Sequence, residues 1–322
     1  MTQIQKLIYP ERRETGNLGV HSLDHFAISV PDIVTADTFY SSFGLQTRSS
    51  KNELSLHTDG HVNPWAVIIE GPTKKLHHIS FAVFEDDVRA FRRHIEAEGI
   101  EILDPPPGFE SDGLWFRDHD GTLLELRVNE KSSPNSKTAP EFISAPAGQP
   151  GAPKRSTAPF VRPGRLAHVL VFTRSVEEAI RFYSRVLGLR LSDRSGDTIA
   201  FLHGIHGSDH HLIAFVKSDG PGLHHCSWEV SSVNHVGLGA MQMADKGFSS
   251  GWGLGRHVLG SNYFHYVRDP WGSYSEYSCD MDFIPANAEW QPGDHDADDS
   301  FYIWGPKPPS DFVTNHEVKE GE

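Results

Sequence analysis

The sequence predicts an α+β fold made of two tandem copies of one β-α-β-β-β-like module, and three recurrences carry that expectation. Segments 23–30 and 166–172 each alternate apolar and polar residues around a histidine, His25 and His168, as half-buried strands do. Lys75-Leu76-His77-His78-Ile79-Ser80 returns as Gly222-Leu223-His224-His225-Cys226-Ser227. Each copy then closes on two β-favouring runs joined by a turn, His119-Asp120-Gly121 in the first and Asp269-Pro270-Trp271-Gly272 in the second.

Taken in order, residues 1–18 form an N-terminal arm. The first domain spans 19–130. After its opening strand, Pro31-Asp32 starts a helix that carries Phe39-Tyr40-Ser41 and runs to Gly44. A second helix over 85–99 ends on Gly99, where a C-cap belongs. Strands at 115–117 and 123–128 complete the unit. Residues 131–163, rich in Pro, Ser and Ala and without apolar periodicity, read as a partly extended linker. The second domain, 164–283, repeats the plan with a helix over 175–188 carrying Phe182-Tyr183-Ser184 and another from 233 to 247. Residues 284–322 hold Trp290, Tyr302, Trp304 and several prolines, which suits a lid over a cavity or a subunit-contact arm.

Bulk properties exclude several classes. A chain of 322 residues is long enough to bury two cores. The net charge of −14 argues against nucleic acid or an anionic membrane as partner. No apolar run approaches a membrane span, and the polar start MTQIQKLIYPERRE is not a signal peptide. Cys226 and Cys279 alone cannot make a disulfide framework, which suits a cytoplasmic protein. The count of 20 histidines is unusual, so a lone histidine means little here.

Strand parity narrows that set. In the strand after Leu223, one face carries Cys226, Trp228 and Val230, which should pack on helices. The other carries His225, Ser227 and Glu229, which should line a cavity, so His225 is a candidate ligand and His224 is not. Ala167, Val169 and Val171 form the buried face of their strand and leave His168 on the cavity side. Tyr274, Glu276 and Ser278 share a face of the last strand. His168, His225 and Glu276 thus put two imidazoles and one carboxylate on one side of one domain. That is the facial triad of non-haem Fe(II) oxygenases, which leaves positions open for substrate and dioxygen.

These residues resemble those of the type I extradiol ring-cleavage dioxygenases of the vicinal oxygen chelate superfamily, which include catechol and homoprotocatechuate 2,3-dioxygenases. The likeness lies at His168, at Leu223-His224-His225 with Ser227, and at Gly255-Arg256-His257 followed by Tyr266, Asp269-Pro270, Gly272 and Glu276. It implies tandem vicinal oxygen chelate domains of paired βαβββ modules forming incomplete barrels. It implies Fe(II), with Mn(II) as the alternative, held by His168, His225 and Glu276. His211 would be the acid–base histidine beside dioxygen, and His257 and Tyr266 would hydrogen-bond the substrate's oxygens. A catechol-type diol and O2 would be the substrates, and the assembly a homo-oligomer, a tetramer or larger. One departure is His265, where the family usually places an apolar residue before the tyrosine. The chemistry asks for the same types: a metal-chelated diol acquires a lowered pKa, and a histidine near neutral pKa suits the proton transfer.

The first domain keeps His25, His78 and Glu125 at the matching positions. Trp115 stands ten residues before Glu125 where a tyrosine would be needed, and Pro106 stands nineteen before in place of a histidine. This copy therefore reads as a non-catalytic remnant of the duplication, with a second metal site as the lesser alternative. Three alternatives remain for the whole chain: a hydroquinone-cleaving dioxygenase, a glyoxalase-like metal isomerase, and a ligand-sequestering protein. Glyoxalase-like sites draw ligands from two modules, whereas these lie in one. Arg256, Arg268 and Lys217 are the cations that could hold a substrate carboxylate, and Cys226 and Cys279 read as core thiols.

Overall fold

Each half of the chain is organised on an antiparallel pair of long strands that must be covered on their apolar face. The computed structural model describes residues 13, 14, 16–142 and 144–318, so most of the expected arm over 1–18 lies outside the described residues. The first half runs β1 (Ser22–Val30), α1 (Ile33–Phe43), β2 (Gln46–Ser50), β3 (Glu53–His57), β4 (Ala66–Glu70), β5 (Lys75–Val83), α2 (Val88–Ala97), β6 (Leu114–Arg117) and β7 (Leu123–Val128). These strands form one seven-stranded sheet in the order β2-β3-β4-β1-β5-β7-β6. β1 pairs parallel with β4 and antiparallel with β5, and β5 pairs parallel with β7.

The second half begins with β8 (Arg165–Thr173), α3 (Val176–Leu187), β9 (Arg190–Ser195), β10 (Ile199–His203), the short β11 (Ser208–Asp209) and β12 (Ile213–Lys217). It continues with β13 (Gly222–Glu229), α4 (Val233–Asp245), β14 (Gly251–His257), β15 (Tyr263–Arg268) and β16 (Tyr274–Cys279). The tail adds β17 (Phe283–Ile284), β18 (Gly293–Asp294), α5 (Ala297–Ser300) and β19 (Tyr302–Trp304). The second sheet reads β18-β9-β10-β12-β8-β13-β16-β15-β14-β19, and β11 pairs with β17 apart from it. Its centre, β9-β10-β12-β8-β13-β16-β15, repeats the first sheet strand for strand. The second half therefore contains two βαβββ units and the first half one βαβββ unit (β1–β4) and one βαββ unit (β5–β7), each unit giving one strand to the central pair.

Local chemistry sets the helix ends. The Asp32 carboxylate accepts from the amides of Val34 and Thr35 to open α1, and Ser175 and Ser232 cap α3 and α4 through the amides of Glu178 and His235. α1 stops at Gly44, in the left-handed region at φ +101°. The helices of the two halves meet, and one hydrophobic cluster runs through both. Phe43 stacks on Tyr277 at 3.8 Å, and the Tyr277 hydroxyl donates to the Phe43 carbonyl at 2.7 Å. Tyr183 donates across the same boundary to Asp118 at 2.9 Å. With the helices sandwiched between the sheets, the opposite face of each sheet is left to line a site. Residues 131–163 contain a single 3-10 turn (Arg155–Thr157) and no strand among the described residues, and Val161 of this stretch is buried against Gly44.

Gly44 is where helix end and inter-domain contact coincide. A Cβ there would lie 2.1 Å from the Val161 carbonyl oxygen, in a backbone conformation that L side chains resist. Gly44→Ala is expected to cost roughly 1–3 kcal/mol, read as a lower midpoint in urea unfolding.

Candidate metal centre

Three adjacent strands, β8, β13 and β16, each contribute one donor. Ser227 is the cross-strand partner of both His168 and Glu276, so these two flank β13 at one level and His225 sits two residues along it. The donor atoms of His168, His225 and Glu276 all lie within 4.8 Å of one another, and all three residues are buried. The two Nε2 atoms are 3.2 Å apart, and Glu276 Oε2 stands 3.3 Å from His168 Nε2 and 3.6 Å from His225 Nε2. Despite those short separations Oε2 receives no hydrogen bond, whereas Oε1 accepts from Asn262 Nδ2 at 3.1 Å. A fully buried carboxylate oxygen that faces two imidazole nitrogens and accepts no hydrogen bond fits a divalent cation by its donor chemistry.

The surrounding groups decide which nitrogen each histidine offers. His224 Nε2 lies 2.8 Å from the Phe312 carbonyl, which can only accept, so Nε2 carries the proton. His224 is held neutral because burial pushes its pKa down to about 4. Its Nδ1 is then an acceptor, 2.7 Å from His225 Nδ1. His225 is neutral too, its pKa driven well down by burial and then by neighbouring imidazoles. It must therefore donate from Nδ1 and turn the lone pair of Nε2 toward Glu276. Here parity misplaces a residue: His224 does not join the helix-packed face but borders the cavity. The register slips between Leu223 and His225, so alternation breaks at that step.

His257, at the end of β14, is fixed the same way. Its Nδ1 donates to the Phe301 carbonyl at 2.8 Å, and the Tyr266 hydroxyl lies 2.9 Å from its Nε2, which leaves the phenol as donor. Burial lowers the His257 pKa, and burial reinforced by the Glu276 charge raises the Tyr266 phenol well above its ordinary value. His211 packs its ring 4.1 Å from that of His168. Burial, then the neighbouring imidazoles, holds His211 neutral. Its Nδ1 is 3.1 Å from His210 Nδ1, and His210 Nε2 is 2.9 Å from an Asp193 oxygen. The Asp193 oxygen can only accept, so His210 donates to it from Nε2; where its Nδ1 accepts from His211 Nδ1, Nε2 is the basic atom of His211.

These residues border a cavity of about 190 Å³ whose walls include Leu170, Ile199, Phe201 and Val216. Its roof comes from the tail, through Phe301, Phe312 and Val313. The tail therefore lies over the cavity. Sequence reasoning missed Asn262, Phe301 and Phe312: the first sits in a turn before β15, and the other two arrive only through tail folding. None of the three candidate cations lines the cavity. Arg256 bonds the Ser261 carbonyl at 2.9 Å, Arg268 pairs with Asp311 at 2.7 Å, and exposed Lys217 pairs with Asp197. Cys226 and Cys279 are free and buried, and burial pushes their thiols up to about 11 and about 12, which leaves them protonated and poor metal donors.

The family model described as "Glyoxalase/Bleomycin resistance protein/Dioxygenase superfamily" matches residues 22–126 and again 165–277, which together make up most of the chain. The chain belongs to this superfamily. The two matched segments coincide with the two sheets, so the duplicated architecture of the superfamily is the architecture described above. Metapyrocatechase 2 of Cupriavidus necator is 49% identical over 299 residues, covering 93% of both chains. An iron-dependent extradiol dioxygenase of Rhodococcus jostii is 31% identical over 128 residues, 36% of this chain and 43% of that one. Among solved structures, an extradiol ring-cleaving dioxygenase from B. fuscum superposes with a TM-score of 0.75 at 18% identity, over 95% of this chain and 84% of that one.

Asn262 is the outer partner that orients the Glu276 carboxylate. Asn262→Ala is expected to weaken retention of a divalent metal by roughly 10–100-fold, measured by competition with a graded chelator.

Proposed function

We propose that this protein is an extradiol ring-cleavage dioxygenase that adds both atoms of O2 to a catechol-type aromatic diol at a mononuclear Fe(II), with Mn(II) as the alternative metal. The observation that carries the reading is the orphaned Glu276 oxygen facing the two Nε2 atoms under an apolar cavity ringed by His211, His257 and Tyr266. The extent of likeness to metapyrocatechase 2 supports the same reaction. His168, His225 and Glu276 would hold the metal. When bound, it supplies a lowered diol pKa and a path for electrons from ring to dioxygen.

This chain's own residues would do the rest. Tyr266 and His257 meet the oxygen of a bound diol with a matched donor and acceptor, so either can follow the proton as the diol ionises. His211, neutral and beside His168, would take a proton from the substrate side and return it as oxygen attacks the ring. Phe301, Phe312 and Val313 would keep bulk water from the reacting groups. The three strands that supply the donors belong to one domain, which weighs against a glyoxalase-like site shared between modules. No helix among the described residues is long and apolar enough to cross a membrane.

The cavity also bears on the ring substituent. Among the described residues no Lys or Arg lines it, and the carboxylate that does is that of Glu276. A carboxylated catechol would bury an uncompensated anion there, at a cost of about 3 kcal/mol or more. Alkyl- and unsubstituted catechols are therefore the expected substrates.

Two measurements on anaerobically purified, iron-loaded protein test this. Catechol or 4-methylcatechol in air is expected to give a yellow ring-opened product with matching oxygen uptake. A carboxylated catechol should show a kcat/KM at least about 100-fold lower; preference for a hydroquinone, or no oxygen uptake at all, would sink the assignment. His211→Ala should lower kcat by roughly 10²–10⁴-fold with iron content unchanged.

A further inference from the structure

We propose that the first domain binds a second divalent cation on His25, His78 and Glu125, in a closed site that serves structure and not ring opening. The three donors come from β1, β5 and β7, the counterparts of β8, β13 and β16, and all lie within 4.8 Å of one another. They are 5%, 0% and 1% exposed. The Nε2 atoms of His25 and His78 stand 3.2 Å apart, the same separation as in the second domain. With metal–nitrogen bonds of about 2.1 Å, that spacing subtends about 100°, between octahedral and tetrahedral geometry.

The outer shell is the second observation. Asp24 Oδ2 lies 2.6 Å from His25 Nδ1, and Asn129 holds the other Asp24 oxygen at 2.6 Å. A carboxylate on Nδ1 directs the lone pair of Nε2 inward, the arrangement that supports metal-binding histidines. His168 has no such partner on its Nδ1, so in this respect the first set is the more completely oriented one. Each Glu125 oxygen accepts one serine hydroxyl, from Ser80 at 2.6 Å and Ser111 at 2.5 Å. Each keeps lone pairs for a cation.

The site is closed by aromatic rings. Trp115 stands opposite Glu125 in the β6–β7 ladder, where the second domain has Tyr266 opposite Glu276. Its ring lies 4.9 Å from that of His78, and the Phe109 ring 4.8 Å from it on another side. The Tyr266–His257 pair has no counterpart here, since Trp115 and Pro106 stand at the matching positions. Nitrogen and carboxylate donors in a closed setting suit Zn(II) or a similar first-row divalent ion held as a cross-link between strands.

The test uses full-length protein stripped with chelator, reloaded with Zn(II), desalted and analysed for metal. Two equivalents per chain are expected for the wild type, one for His225→Ala/Glu276→Ala and one for His25→Ala/His78→Ala. The His225→Ala/Glu276→Ala variant should also melt at a higher temperature with Zn(II) than without. One equivalent in the wild type and none in His225→Ala/Glu276→Ala would overturn the proposal. Should a double variant fail to fold, the wild-type count decides, two for the proposal and one against it. None of these readouts depends on turnover, so failure of ring opening would not be mistaken for failure of this site.

Discussion

A buried carboxylate without a counter-charge is the constraint around which the second domain is arranged. Glu276 is fully buried, and its Oε2 faces two imidazole nitrogens without receiving a hydrogen bond. Leaving an anion in that state costs several kcal/mol, far more than a surface pair would return. A cation relieves that cost, and the pairing of β8, β13 and β16 holds the donors in place while it does. The apolar walls deepen the effect, because low polarity strengthens whatever electrostatic contact the site makes.

The neighbouring histidines extend this logic outward. Hydrogen-bond polarity can be traced from the Phe312 carbonyl through His224 to His225, and from the Phe301 carbonyl through His257 to Tyr266. Both chains begin on backbone carbonyls of the tail. The roof therefore excludes water and also selects the tautomers of the residues beneath it. Burial keeps these rings neutral, so each offers one donor and one acceptor in a fixed sense.

Much of this was legible in the residue order, and the exceptions have physical reasons. Period-2 alternation placed His168, His225 and Glu276 on one face, because the strands that carry them are regular where it matters. The Asp269-Pro270-Trp271-Gly272 turn was readable since few other residues make that bend, and the Asp269 side chain accepts from the amides of Trp271 and Ser273. His224 escaped because a register slip cannot be seen in a string of letters. β2 is largely exposed, β4 is a near-continuous apolar run, and the alternation of β3 lasts only five residues. Asn262, Phe301 and Phe312 reach the site by tertiary folding alone, so no local pattern announces them. The remnant reading of His25, His78 and Glu125 correctly noted the lost tyrosine. It had no means to see Asp24 and the two serines closing around the same atoms.

The position of the tail has a bearing on truncation. His168, His225 and Glu276 all precede Phe301 and Phe312 in the chain. Cutting after Ile284 would keep the three donors while removing the edge strands β18 and β19, the two carbonyls that orient His224 and His257, and the rings over the cavity. The donors and the surroundings that order them are thus separable at one peptide bond.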